Sequence, residues 1–309
     1  MKKFFIAIVA LAATVSCSND EAISLNQETI DFNAPFVENS TRVEATDPSY
    51  SGTENFESFN VYGTANGVAI YAGEVVSGTV GENSEWTCTK KNFWVNGVAY
   101  KFAGVANGSV TELSNGLPKT ISYTADGTSD LVYAENFGID GNGIIGQPAG
   151  SNSPVEFTFN HLLSKVKFTA TTAIEVEGYS YEITNIAISN AYSTGTYDVA
   201  SEMWTASATT PQTFRDITIN ATTKSSECEQ EKLLIPTSSV SVAYKATLKY
   251  NGDPIWVDDK TATPVVLNTA LVAANAYNFV ITLNVGEEIK FSVENDPSWT
   301  NQEPGINVQ

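Results

Sequence analysis

The chain predicts an all-β protein built as two tandem antiparallel β-sandwich domains. Three observations predict it. Apolar residues alternate with period two in almost every patterned stretch, Asn-Gly turn signals separate those stretches, and 309 residues are too many for one small sandwich.

The elements follow in order. Met1-Lys2-Lys3 is basic and residues 4–15 are almost wholly apolar. That run is shorter than the roughly 20 residues a bilayer span needs, but it fits a signal-peptide core. Thr14-Val15-Ser16-Cys17 then reads as a relaxed lipoprotein cleavage site, with Cys17 as the lipidated residue. Several acyl chains on Cys17 make a stable membrane anchor; the alternative is an ordinary signal peptide with an incidental cysteine. In residues 30–36, Ile30, Phe32, Ala34 and Phe36 fall on one face of a strand.

Phe59-Asn60-Val61-Tyr62 and residues 68–72 are strands around Asn66-Gly67, a pair that favours the positive dihedrals of a type I′ turn. Residues 86–95 and 98–105 read as a second hairpin around Asn96-Gly97. Residues 136–154 are rich in Gly, Asn and Pro, and the domain boundary is expected at their end. Val155, Phe157, Phe159 and His161 then alternate, and Lys165-Val166-Lys167-Phe168 continues as a strand. Later, Val240, Val242 and Tyr244 alternate, Asn251-Gly252 marks a turn, and Tyr277, Phe279, Ile281, Leu283 and Val285 alternate before Ile289, Phe291 and Val293. Short strands at regular spacing are the pattern of transthyretin/Ig-like sandwiches. The expected division is a signal with its lipid cysteine (1–17), a leader (18–42), an amino-terminal sandwich (43–154) and a carboxy-terminal sandwich (155–309).

The formal net charge is −19, and loss of Lys2 and Lys3 with the signal would take it to −21. A surface so negative repels phosphates, which argues against nucleic acid as a partner, and high charge keeps an extracellular protein soluble. Besides Cys17 the cysteines are Cys88 and Cys228; an exported pair can form a disulfide or remain two isolated thiols. No CxxC or CxxH spacing occurs, so no local metal site is written.

Four motifs resemble chemistry. Gly141-Asn142-Gly143-Ile144-Ile145-Gly146 has dinucleotide-binding spacing, but Gln147-Pro148 follows where a helix is needed, so it reads as a loop. Asp140 and Asn142 lack the bidentate glutamate of a calcium loop. His161, the one histidine, lies in an alternating strand without a nucleophile motif, and reads as packed rather than catalytic. Trp86, Phe93, Trp94, Tyr100 and Phe102 form either core or a sugar-binding platform. No catalytic residue, cofactor or metal is expected, and the chain reads as a non-enzyme.

Several segments together resemble the fimbrillin family of surface pilus subunits. Phe93-Trp94-Val95-Asn96-Gly97-Val98-Ala99-Tyr100-Lys101-Phe102-Ala103 is similar to the family's tryptophan–glycine–aromatic hairpin, without the proline often found after the tryptophan. Asp130-Leu131-Val132-Tyr133-Ala134 resembles the family's aspartate-leucine-leucine-tyrosine-alanine strand, and residues 155–168 resemble the strand pair opening its second domain. Tyr277-Asn278-Phe279 and residues 289–299 match its closing strands and tryptophan. Ser18-Asn19-Asp20-Glu21 resembles the surface-export tag of lipoproteins in Bacteroides-type bacteria.

The resemblance implies a life history. The precursor reaches the outer membrane surface as a lipoprotein. An arginine-specific protease cuts after Arg42, starting the mature chain at Val43 and releasing the strand of Ile30, Phe32, Ala34 and Phe36 with the lipid. A donor strand from the next subunit fills the groove. The candidate donor here carries Ile289, Phe291, Val293 and Trp299. The implied partners are other pilus subunits, the processing protease, the membrane before cleavage, and a host or bacterial surface ligand. The alternatives are a solvated linker role for Arg42, and a permanently anchored surface lipoprotein that binds glycan or a host protein.

Overall fold

The computed structural model describes residues 28–33, 35–37, 57–78 and 86–296. Every regular element among them is a strand. The first half forms β1 (Phe36–Val37), β2 (Ser58–Ala65), β3 (Val68–Ser77), β4 (Thr87–Cys88), β5 (Ala99–Ala106), β6 (Ser109–Ser114), β7 (Leu117–Thr124), β8 (Val132–Asn136), β9 (Ile144–Ile145) and β10 (Thr158–His161). Eight of these make one sheet, ordered β1-β10-β8-β5-β2-β3-β4, with β9 on β5. The β2–β3 hairpin turns where expected: Asn66 and Gly67 take φ of 46° and 77°, which asparagine tolerates and glycine adopts freely.

The second half forms β11 (Ser164–Thr171), β12 (Tyr179–Ile188), β13 (Tyr192–Asp198), β14 (Met203–Thr209), β15 (Gln212–Thr213), β16 (Ile217–Asn220), β17 (Ser225–Glu227), β18 (Lys232–Leu234), β19 (Val240–Tyr250), β20 (Asp253–Asp259), β21 (Val265–Leu267), β22 (Ala276–Thr282) and β23 (Lys290–Asp296). One sheet is ordered β17-β11-β22-β23 with β18 on β11; another is ordered β15-β12-β19-β20 with β16 on β12 and β21 on β19. They enclose a core that includes Val166, Phe168, Ile183, Val242, Tyr244 and Phe279. Alternation explains the burial: Val240, Val242, Tyr244, Ala246 and Leu248 of β19 all point inward. Pairing between these strands is antiparallel except for β1 with β10 and β11 with β22.

Two features cross the line expected at 154/155. Val155, Phe157 and Phe159 belong to the first core, and β10 pairs β8 through Asn160↔Tyr133 and His161↔Val132. The strand pair expected to open the second domain is therefore shared: β10 closes the first sheet and β11 begins the next. In addition, β13 and β14 join β7 and β6 in a four-stranded sheet. That sheet covers the second face of the first-half sheet through Tyr62, Val105, Ile121, Tyr123 and Tyr197. Alternation marks a strand, but the partner it pairs with is a long-range choice that local pattern does not encode.

The hairpin expected from residues 86–105 also differs. Its turn forms, with Gly97 at φ 77°, but β4 pairs β3 and β5 pairs β2, β8 and β9. Residues 89–95 are instead largely irregular and meet the amino-terminal segment. Cys88 and Cys228 are buried free thiols in separate cores, so the disulfide alternative is not formed.

Candidate functional site

The site is the seam where residues 28–37 close the first-half sheet. Hydrogen bonds tie this segment to both sheet margins. On one side, the Ile30 amide donates to the Asn92 carbonyl at 2.9 Å and the Trp94 amide donates to the Glu28 carbonyl at 2.9 Å. On the other, the Asn33 amide donates to the Val155 carbonyl at 3.0 Å, and the Val155 amide donates to the Asp31 carbonyl at 2.8 Å. Phe32 is bridged antiparallel to Trp86 and parallel to Val155. Further on, Phe36 and Val37 pair in parallel with Thr158 and Phe159. A strand that satisfies two edges at once leaves two rows of backbone groups unpaired when it is withdrawn.

Its side chains fill the space between. Ile30 is 2% exposed, Phe32 4% and Val37 3%. The Phe32 ring lies edge-on to Phe59, Tyr71 and Phe102, with centroids 6.3, 5.7 and 6.2 Å away, and stacks on Phe157 at 6.2 Å. These are the separations at which aromatic pairs add to simple burial. Val37 is out of phase with Ile30 and Phe32, so the inward alternation shifts between them, across Pro35, which has no amide to give a ladder. The backbone of Phe36 lies in β1; Ala34 lies outside the described residues.

Polar contacts hold the start of the segment. Glu28 Oε2 accepts from the Gly150 amide at 3.0 Å, the Asn152 amide at 3.2 Å and Asn152 Nδ2 at 2.6 Å. The Asn152 side chain holds the Glu28 carboxyl below its ordinary range. Asn152 also organises its own loop, accepting from the Gln147 amide at 2.7 Å and donating to the Gln147 carbonyl at 3.1 Å. Asn33 Nδ2 donates to Glu156 Oε1 at 3.1 Å. An open cleft of about 930 Å³, lined in part by Trp94, Asn136, Ile144, Asn152 and Val155, runs beside the segment. Local pattern singles out neither Glu28 nor Asn152, because their contacts span more than 120 residues.

The other candidates are placed as follows. Trp86, Trp94, Tyr100 and Phe102 are buried, and Phe93 alone of the five is exposed, at 41%, so these residues build core and not a sugar platform. His161 is buried, its Nδ1 2.5 Å from Asp130 Oδ2. The 141–146 glycine run lies in turn and β9, with Asp140 accepting from the Asn142 amide at 3.0 Å. Among the described residues no three metal-ligating side chains converge. Ile289, Phe291 and Val293 are half-buried at the edge of the second-half core, where β23 pairs β22 over seven positions, from Thr282↔Lys290 to Ala276↔Asp296. Cys17, Arg42, Val43 and Trp299 lie outside the described residues.

Fold and seam together define a class: a β-sheet protein whose sheet is completed by a strand from its own amino-terminal segment. The chain belongs to the fimbrillin-like family, whose model matches residues 41–297. The fold is similar to that of a fimbrial protein from Bacteroides vulgatus, at TM-score 0.56 and 14% identity, covering 79% of this chain and 92% of that one. A putative cell adhesion protein from Bacteroides uniformis is similar at TM-score 0.47 and 17% identity over 81% of this chain and 95% of its own. A fimbrial assembly protein from Parabacteroides distasonis is similar at TM-score 0.40 and 15% identity, covering 77% and 88%. No curated protein matches the chain.

Proposed function

We propose that the chain is a structural subunit of cell-surface fimbriae that supports adhesion. It is exported to the outer membrane as a lipoprotein on Cys17, cut after Arg42 by an arginine-specific protease, and assembled by donor-strand exchange. The observation that carries this reading is the segment of residues 28–37, hydrogen-bonded to both margins of one sheet with Ile30, Phe32 and Val37 buried. Its removal uncovers apolar slots worth about 1.5–3 kcal/mol each when filled, together with unpaired backbone at Asn92, Trp94 and Val155. A strand from a neighbour satisfies both needs by β-augmentation, and a head-to-tail contact that does not close grows a fibre. No cofactor or active-site residue is required.

The family match beginning at residue 41, beside Arg42, supports a mature chain that starts there. The other arginine, Arg215, is a poor substrate despite its exposed side chain. Phe214 and Ile217 beside it are buried, and the Phe214 amide is held by the Ile186 carbonyl at 2.8 Å. The same reading keeps two sandwiches, divided near residue 154, with β10 paired in the first sheet and β13 and β14 joined to β7 and β6.

The donor in this reading is the segment carrying Ile289, Phe291, Val293 and Trp299. Deleting residues 290–309 should give a processed protein that accepts a strand and cannot donate one. Long homopolymers from that truncation after cleavage would refute the donor assignment. The seven-position pairing of β23 with β22 favours a second reading, in which this strand stays at home and the chain is an anchored or terminal surface lipoprotein binding glycan or a host protein.

A further inference from the structure

The sequence Glu-x-Ile-x-Phe occurs twice in the chain, as Glu28-Thr29-Ile30-Asp31-Phe32 and as Glu287-Glu288-Ile289-Lys290-Phe291. The first copy lies in the seam. The second crosses the turn into β23, the candidate donor. We infer that the two copies are interchangeable plugs: on assembly Ile289 of one copy of this chain enters the slot of Ile30 in the next. Phe291 then enters the ring pocket of Phe32, and Glu287 replaces Glu28 against Gly150 and Asn152. The inference rests on the donor-strand reading and adds the register and the polar contact that sets it.

The two environments differ in the direction that exchange requires. At home Phe291 is half-buried, with Tyr244 as a ring neighbour at 5.5 Å. Phe32 is nearly fully buried and meets four rings. Ile289 is half-buried at home, whereas the Ile30 slot excludes water. The same apolar side chains therefore lose more exposed surface in the seam than in the edge strand they leave.

The glutamate contributes register. Because strand side chains alternate, a shift of one residue turns every plug to the wrong face, and a shift of two leaves the phase intact but misplaces each plug. A carboxylate two residues before the first plug removes the second ambiguity, since Gly150 and Asn152 present three donors to one oxygen there. Glu287 is available for the task. Its present partners are Asn284 Nδ2 at 3.3 Å and Lys290 Nζ at 3.1 Å, both local and both exposed. The match ends after Phe32, because Pro35 has Glu294 at the corresponding position and the phase shift there has no counterpart in β23.

The test is a cysteine pair, Asn152→Cys with Glu287→Cys, in the full-length chain cut by an arginine-specific protease and then oxidised. The expected result is a disulfide-linked ladder from cut protein and none from uncut protein. As a second measurement on the native cysteines, a synthetic peptide of residues 284–296 should inhibit polymerisation of cut wild-type chain. The same peptide with Glu287→Ala should inhibit several-fold less, and one with Glu294→Ala should match the parent. Polymers that form normally while the cysteine pair stays unlinked and the Glu287→Ala peptide inhibits as well as the parent would overturn the register and leave donor-strand assembly standing. Failure of cut wild-type chain to polymerise at all would overturn both.

Discussion

Replacing Phe32 with alanine tests the seam at its centre. The side chain is 4% exposed and touches four rings, at 5.7–6.3 Å between centroids. Deleting a buried phenylalanine costs about 3–5 kcal/mol, the sum of lost transfer energy and the cavity left behind. The upper part of that range applies here, because Phe59, Tyr71, Phe102 and Phe157 belong to four separate strands or loops and cannot collapse together into the space. For a domain of this size each kcal/mol moves the midpoint by about 2–4 °C, so uncut Phe32→Ala should melt roughly 10 °C below wild type. The assay is thermal unfolding followed by near-ultraviolet circular dichroism. After cleavage at Arg42 and release of the leader, the variant and wild-type chains are the same molecule, and their polymers should melt together. A melting shift below about 1 °C in the uncut protein would refute the packing argument. A shift that survives processing would refute release of the strand.

Three further outcomes are expected. Arg42→Gln should block leader release by an arginine-specific protease and leave Arg215 uncut under native conditions, read by intact mass; cleavage at Arg215 in folded protein would contradict the protection described for its neighbours. Burial pushes the Tyr71 hydroxyl up to about 12. The folded state therefore holds this proton more tightly than the unfolded one, and stability present below about pH 10 is lost as pH rises toward 12. Phenolate absorbance should accordingly lag free tyrosine until the first-half core opens, and early complete titration would contradict the burial. Cys88 and Cys228 should resist thiol reagents until denaturant is added, and reduction should leave the mass of the mature chain unchanged.

Much of the fold is legible in the sequence because its signals are local. Asn66-Gly67 and Asn251-Gly252 specify turns through backbone dihedrals, with positive φ at all four residues, and alternation in residues 240–248 and 289–293 marks the inward faces. The burial of Ile30 and Phe32 follows from the same period. What local pattern does not carry is pairing. Nothing near His161 indicates that it sits on Asp130 in the first sheet, nor near Tyr197 that β13 will extend β7 through Tyr197↔Ile121. The polar half of the site was hidden for the same reason, since a glutamate at position 28 and an asparagine at position 152 are ordinary loop residues until the fold brings them within 2.6 Å.

In the proposed assembly, residues 28–37 complete the sheet in the precursor and are absent from the fibre. Amino-terminal sequencing of polymer recovered from the cell surface tests it most directly. The expected result is a single start at Val43, with no peptide from residues 28–37 remaining in the washed polymer. A polymer whose chains begin at a lipid-modified Cys17, or that retains the 28–37 peptide in equal amount, would contradict it.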